Sequence, residues 1–269
     1  MKQRVDVLLA ASGLSPSREQ AQRLIMAGHV YVDEVKVLKP SQLLEEGANL
    51  IVRGQNNPFA SRGAHKIEKA LSLFDTEVAG LVCMDIGAAS GGFTDALLRR
   101  GAALVYAIDV GYGQLEWRLR QDPRVVVMER TNARQLLPEH FPQKPSLCVM
   151  DVSFISIRLI MPAAAAIMGQ EGRFLTLIKP QFEAGRGQVG KNGVVRQADI
   201  HARVLREIRD FCSGLGWTLQ GLTWSPIKGP KGNIEFLADV RPGPGEAPDD
   251  AAIRAMVEEA HQTLSSNNA

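Results

Sequence analysis

The side chains best placed to do chemistry are those of Lys66, Asp151, Lys179 and Glu235. Asp151 closes the apolar run Leu147 to Val152, and Lys179 closes the run Phe174 to Ile178. If those runs are neighbouring strands of an open α/β sheet, their carboxyl ends deliver both side chains to one crevice. Glu235 enters a further run that ends at Val240, and Lys66 lies on the helical stretch from Ala64 to Phe74. Taken singly, each has an ordinary explanation, as a surface lysine or as half of a buried ion pair. Taken as a set, a lysine braced by carboxylates in a cleft can hold a hydroxyl by hydrogen bonding, and a desolvated lysine can also take its proton.

A second constellation is Val82-Cys83-Met84-Asp85-Ile86-Gly87-Ala88-Ala89-Ser90-Gly91-Gly92-Phe93-Thr94-Asp95, which reads as a strand, a glycine-rich turn and a helix start. Gly87, Gly91 and Gly92 permit close backbone approach to a nucleotide-like ligand; the bland alternative is a tight turn with no ligand. The spacing is not the Gly-x-Gly-x-x-Gly fingerprint of pyrophosphate binding. Asp85 beside the turn would oppose a phosphate and suits an ammonium, such as that of S-adenosylmethionine. Asp109, at the end of the next strand, can accept both hydroxyls of a ribose. Asn132, after the third strand, reaches an adenine edge or merely caps its own loop. The expected cofactor set is Asp85, Gly87, Ala88, Ser90, Gly91, Gly92, Phe93, Asp109, Asn132 and Asp151.

These residues need a scaffold, and 269 residues at 45% hydrophobic suffice for one sizeable core and a smaller domain. Strands are expected at Leu81 to Ile86, Leu104 to Asp109, Val125 to Met128, Leu147 to Val152 and Phe174 to Ile178, with a helix from Gly92 to Arg100. Such alternation implies a parallel sheet wrapped on both faces. Thr218 to Trp224 and Ile234 to Val240 follow with no helix between them, so they should run antiparallel. After Arg241-Pro242-Gly243-Pro244-Gly245, Asp249 to Leu264 reads as an exposed amphipathic helix.

The first 53 residues read differently. Val5, Leu8 and Leu9 recur at helical spacing, Ser15 or Ser17 caps a helix that buries Ala21, Leu24 and Ile25, and Gly28 stops it. His29 to Asp33 and Val35 to Val37 form a hairpin turning at Asp33-Glu34. This is a small α+β unit, with Arg4, Arg18, Arg23, Lys36 and Lys39 available to line one face. The expected division is 1–53, a linker at 54–61, a main domain at 62–241, and a C-terminal linker and helix at 242–269.

A net charge of +2 decides little, because balanced totals hide local fields. Arg173, Lys179, Arg186, Lys191, Arg196, Arg203 and Arg206 make one stretch cationic, facing phosphates or simply water. Three scattered cysteines, Cys83, Cys148 and Cys212, match no metal-ligand spacing and fit a reduced, cytoplasmic protein. No apolar stretch nears the roughly 20 residues of a membrane helix, and the start lacks a signal-peptide core.

The N-terminal pattern, Ser17-Arg18 through Gly28 to Val32 and on to Lys39-Pro40-Ser41, resembles the S4 RNA-binding domain. Asp85-Ile86-Gly87-Ala88 with Ser90 to Phe93 is similar to the cofactor motif of FtsJ-like ribose methyltransferases. Lys66, Asp151, Lys179 and Glu235, in this order, resemble the Lys-Asp-Lys-Glu set of ribose 2′-O-methyltransferases. With Ser61-Arg62-Gly63-Ala64, Asp151 to Ser156 and Lys179 to Glu183, the chain from Val5 to Val240 resembles the TlyA family.

That resemblance implies a class I, Rossmann-like domain with a mostly parallel seven-stranded sheet behind an S4 domain. It implies S-adenosylmethionine as cofactor and 2′-O-methylation of structured ribosomal RNA, at cytidine, with no metal and no membrane. Lys179 would hold the attacking oxygen, Asp151 would fix Lys179 beside the sulfonium, and Lys66 with Glu235 would orient the ribose. Arg62, Arg186 and Lys191 join Arg4, Arg18, Arg23, Lys36 and Lys39 as expected RNA contacts. Phe154 and Phe182 could hold a splayed base, core packing being the other role for Phe182. Two other readings stay open: an RNA-binding ribosome-assembly factor whose cofactor site is a sensor, and a membrane-active haemolysin, a label the same family carries.

Overall fold

A computed structural model describes residues 2–33, 35–45, 47–52, 59–229 and 231–266, without the side chains of Arg186, Lys191 and Ser266. The expected turn residue Glu34, linker residues 54–58, and the expected RNA contacts of the Arg186 and Lys191 side chains lie outside the described residues. The chain divides into two compact units, Met1–Pro58 and Phe59–Ala269.

In the first unit, Val5, Leu9, Leu24, Ile25, Val30 and Val37 form the core. Helix α1 (Val5–Ala11) and helix α2 (Arg18–Met26) supply most of it. The Ser17 hydroxyl accepts the Gln20 backbone N–H at 3.2 Å, which starts α2. Gly28 takes φ 76° just after it, a conformation open to glycine. Strand β1 (Lys2–Arg4) pairs with β4 (Leu43–Glu45), while β2 (Val30–Val32) lies between β3 (Val35–Lys36) and β5 (Leu50–Val52). The sequence shows the β2–β3 hairpin and misses β1, β4 and β5, because two or three residues are too few for an alternation to register. Arg4 and Arg18 do not stand free. Arg4 grips the buried Asp6 carboxylate with two hydrogen bonds of 2.9 Å and Arg18 adds one of 3.0 Å. Arg4 above all, with Gln22 and Arg18, holds that carboxyl far below its ordinary range.

The second unit is built on a seven-stranded sheet of order β11-β12-β10-β9-β6-β7-β8. Strands β6 (Val82–Ile86), β7 (Leu104–Ile108), β8 (Val125–Met128), β9 (Leu147–Met150) and β10 (Arg173–Ile178) are parallel. Strand β12 (Phe236–Pro242) runs antiparallel to β10, and β11 (Trp217–Trp224) antiparallel to β12. The chain steps outward from β6 to β8 and then returns to β9 on the other side of β6. Strand order therefore reverses between β6 and β9, the position where open α/β sheets leave a crevice.

Side-chain alternation gives the sheet two apolar faces. Cys83, Val105, Val149, Leu175 and Leu237 meet α3 (Ala64–Leu73) and α4 (Gly92–Arg99). Met84, Ile108, Met150, Phe174 and Phe236 meet α6 (Met161–Met168), α8 (Ala198–Gly214) and α9 (Asp250–Ser266). A short helix α5 (Trp117–Arg120) follows β7, and another, α7 (Pro180–Glu183), follows β10.

Three expectations are corrected here. Helix α9 is not exposed all round, since Ile253, Val257, Ala260 and Leu264 are buried against the sheet unit. Residues 59–61 do not behave as linker: the Ala60 N–H donates to Asp95 Oδ2 at 2.8 Å, and the Phe59 ring meets His65 edge-on at 5.7 Å. In the cationic stretch, Arg173, Arg203 and Arg206 are spent on Asp239, Glu207 and Asp250.

Candidate active site

The end of β9 and the end of β10 lie side by side, and their next residues meet. Lys179 Nζ stands 2.5 Å from Asp151 Oδ1 and donates to Ser153 Oγ at 2.9 Å. From α3, Lys66 Nζ reaches Glu235 Oε2 at 2.6 Å and lies 3.7 Å from Asp151 Oδ2. Gln181 Nε2 donates to the other Glu235 oxygen at 3.5 Å. The four residues thus form one chain of alternating charge, Lys179–Asp151–Lys66–Glu235. The two carboxylates differ in burial: the Glu235 side chain is 1% exposed and that of Asp151 20%. Glu235 precedes β12 and is fixed there by the Ser225 N–H, which donates to its backbone carbonyl at 2.8 Å.

Two cavities meet at Asp151. One, of about 220 Å³, is walled by Ser61, Lys66, Gly87, Asp151, Lys179 and Glu235. The other, of about 370 Å³, runs along the ends of β6, β7 and β9 past Gly87, Ile108, Asp109, Asn132, Asp151 and Phe154.

The glycine turn earns its residues through contacts within the protein. Gly87 has φ 87°, and a Cβ there would stand 2.6 Å from the Asp151 carbonyl oxygen. Gly91 would likewise collide with Leu119, and Gly92 with Ser61. Gly87, Ala88, Ser90, Gly92 and Phe93 line the smaller cavity, whereas Gly91 faces α5.

The acids and the amide have local partners. Asp85 is fully buried, and its Oδ2 accepts the Thr94 N–H at 2.8 Å and the Thr94 hydroxyl at 2.6 Å. Its Oδ1 is buried without a partner, and burial pushes the carboxyl up to about 7. Asp109 accepts N–H groups from Ala89 at 2.8 Å and Gly111 at 2.7 Å while facing the larger cavity. Asn132 Oδ1 accepts from the Arg134 N–H at 3.1 Å, capping its turn on the rim of the same cavity.

Three contributors escape the sequence reading as site partners. Ser153 accepts from Lys179, Gln181 braces Glu235 and Ser61 lines the smaller cavity; only their neighbourhood to Asp151, Lys179 and Arg62 hints at this. Phe154, expected as a base contact, is 92% exposed at φ 65°, a strained conformation for an aromatic residue. Its ring centre lies 5.2 Å from that of Phe182, so Phe182 sits at this rim rather than in the core. Just beyond Phe154, Glu183 accepts from the Ser156 hydroxyl at 2.6 Å and the Ile157 N–H at 2.9 Å and anchors the following turn.

Among the expected RNA contacts, Arg23, Lys36 and Lys39 of the first unit are exposed, as is Arg62 of the second.

Five parallel strands continued by an antiparallel pair, with a glycine turn and a charged cluster at the reversal of strand order, define a class I methyltransferase fold. The chain belongs to the FtsJ-like methyltransferase family, which it matches over residues 59–240, and residues 3–50 match the S4 domain. It is 47% identical over 274 residues to "Putative rRNA methyltransferase YqxC" of Bacillus subtilis, covering 100% of this chain and 97% of that one. It is 46% identical over 239 residues to "16S/23S rRNA (cytidine-2'-O)-methyltransferase TlyA" of Mycobacterium tuberculosis, covering 88% and 89%. A solved structure described as "Putative hemolysin from Streptococcus thermophilus" is 45% identical with a TM-score of 0.79, covering 99% and 98%.

Proposed function

We propose that this enzyme transfers a methyl group from S-adenosylmethionine to a ribose 2′-hydroxyl of structured ribosomal RNA, at cytidine, in the cytoplasm. The observation that carries the reading is the meeting of Lys66, Asp151, Lys179 and Glu235 in one cluster beside the glycine turn. A cofactor sensor needs no such cluster away from its cofactor. Among the described residues no helix is long and apolar enough to cross a membrane.

The larger cavity suits a nucleoside: Asp109 for paired ribose hydroxyls, the Asn132 amide for an adenine edge, and Ile86, Ile108 and Ala133 for ring faces. Asp85, expected to meet the ligand, is fully buried and lines neither cavity; it braces the start of α4 beside the glycine turn through its two bonds from Thr94. S-adenosylmethionine supplies an electrophilic methyl on a sulfonium, and transfer leaves a neutral thioether.

In the smaller cavity, Lys179 holds the attacking oxygen through its ammonium, which Asp151 and Ser153 orient. As the C–O bond forms, the hydroxyl turns acidic, and its proton leaves through the Lys179–Asp151 pair toward water at the exposed side of Asp151. Lys66 and Glu235 stay dry and fix Asp151 from behind. Phe154 offers an open π face to an unstacked base, and Arg23, Lys36 and Lys39 offer phosphate contacts from the S4 domain. Relatives named as ribosomal RNA (cytidine-2'-O)-methyltransferases support substrate and position.

The test is labelled methyl transfer to purified ribosomal subunits, with the product mapped by mass spectrometry. Wild type should mark a cytidine 2′-oxygen and Lys179→Ala should not; equal transfer by both removes the reading.

A further inference from the structure

Beside the charged cluster, the loop between β11 and β12 and the segment 194–196 enclose a basin of about 820 Å³. Arg62, Arg196, Lys228 and Lys231 border it. Among the described residues none of these four has a carboxylate within ion-pair reach. Several arginines elsewhere in the same unit are paired, Arg100 with Glu68, Arg118 with Asp95, Arg173 with Asp239 and Arg209 with Asp250. Cations left unpaired around one concavity raise a positive potential that costs free energy until an anion enters. The field already acts on the basin's own wall, since Lys228 adds to burial in holding the His261 imidazole below its ordinary value.

The cations sit on a braced frame. Asn233 ties the two walls together: its Nδ2 donates to the Gly193 carbonyl at 2.9 Å and its Oδ1 accepts the Val195 N–H at 3.0 Å. The Gly229 N–H donates to the Asn233 carbonyl at 2.9 Å, and the Ser225 hydroxyl to the Ile227 carbonyl at 2.6 Å. The frame also abuts the reacting cluster. A Cβ on Gly229, in the basin wall, would stand 2.5 Å from Glu235 Oε1. Arg62 immediately precedes Gly63, which lines the smaller cavity.

The geometry points to this basin as the track for the phosphates of the RNA strand that flank the acceptor ribose. The proposal rests on the ribose-methylating reading and adds the path of the substrate to it. A volume of about 820 Å³ with cations on three chain segments exceeds what one free phosphate needs and suits successive phosphates of a polyanion.

The experiment uses the full chain with Arg196, Lys228 and Lys231 changed to Gln, singly and together. Binding of ribosomal subunits is measured by filter retention from low to high salt, alongside KM and kcat for methyl transfer and calorimetry with S-adenosylmethionine. Each neutralised phosphate contact should reduce the slope of log affinity against log salt by about 0.7 to 0.9, so about 2 to 3 for the triple variant. KM for subunits should rise, while cofactor affinity and melting temperature stay at wild-type values and Lys228→Arg with Lys231→Arg restores the slope. An unchanged slope and KM in the triple variant overturns the proposal. Wild type that binds subunits with a slope lowered by the substitutions, yet transfers no methyl, keeps the phosphate track and removes the catalytic reading instead.

Discussion

Lys66 and Lys179 carry the same charge in one cluster, yet their loss should have opposite consequences, because their carboxylate partners differ in burial. Lys66→Met strands Glu235, 1% exposed, with only the 3.5 Å contact from Gln181. A stranded buried carboxylate costs about 3 to 5 kcal/mol. It can escape by binding a proton, which at pH 7 costs an ordinary glutamate about 4 kcal/mol. The loss is therefore about 3 to 4 kcal/mol, or a melting temperature lower by about 6 to 16 °C for a unit of this size. At pH 5 the same protonation costs about 1 kcal/mol, so most of the deficit should vanish. Lys179→Met leaves Asp151 partly in water and still 3.7 Å from Lys66. It should melt within about 1 kcal/mol of wild type while losing methyl transfer by about 10² to 10⁴-fold. Scanning fluorimetry at both pH values, with a transfer assay, reads all of this. Equal melting of the two variants at pH 7, or a Lys66→Met deficit that persists unchanged at pH 5, refutes the reasoning.

Gly87→Ala must relieve both φ 87° and a 2.6 Å approach to the Asp151 carbonyl, so it should cost about 1 to 3 kcal/mol and weaken S-adenosylmethionine at least about tenfold by calorimetry. Asp85, raised to about 7, keeps its proton on folding; its stabilisation is complete below about pH 4 and is lost as pH rises through about 7. Chemical denaturation of Asp85→Asn from pH 4 to 8 should lack that decline. Burial and His261 hold His201 down at about 4, so its contribution is present above about pH 6.5 and lost as pH falls toward 4. His201→Leu should remove that acid-side loss in the same denaturation series, and because the two groups oppose each other below about pH 6.5, each single variant should slope more steeply there than wild type, His201→Leu falling and Asp85→Asn rising with pH.

The sheet could be read from the chain because its strands are apolar runs of four to eight residues bounded by turns, and Asp151 and Lys179 stand out as charges at the ends of two of them. What escaped was decided by partners remote in sequence. Arg173 looks cationic until β12 brings Asp239 to it, and Asp85 looks free until the first turn of α4 brings Thr94. Helix α9 carries Ile253, Val257, Ala260 and Leu264 at helical spacing, which signals a buried face without saying what covers it. Arg196, Lys228 and Lys231 lie in segments with no periodicity, and only the folded chain sets them around one hollow.

The placement of Asp151 in the wall of both cavities makes their occupants interdependent. Whatever one occupant's contact with this carboxylate does to the affinity of the other is returned by the same factor. With S-adenosylmethionine in the larger cavity, as proposed, its sulfonium would be drawn to Asp151, and once the methyl has moved that charge is gone. On that proposal turnover would weaken the grip that assembled the complex, a built-in cue for the spent donor to depart.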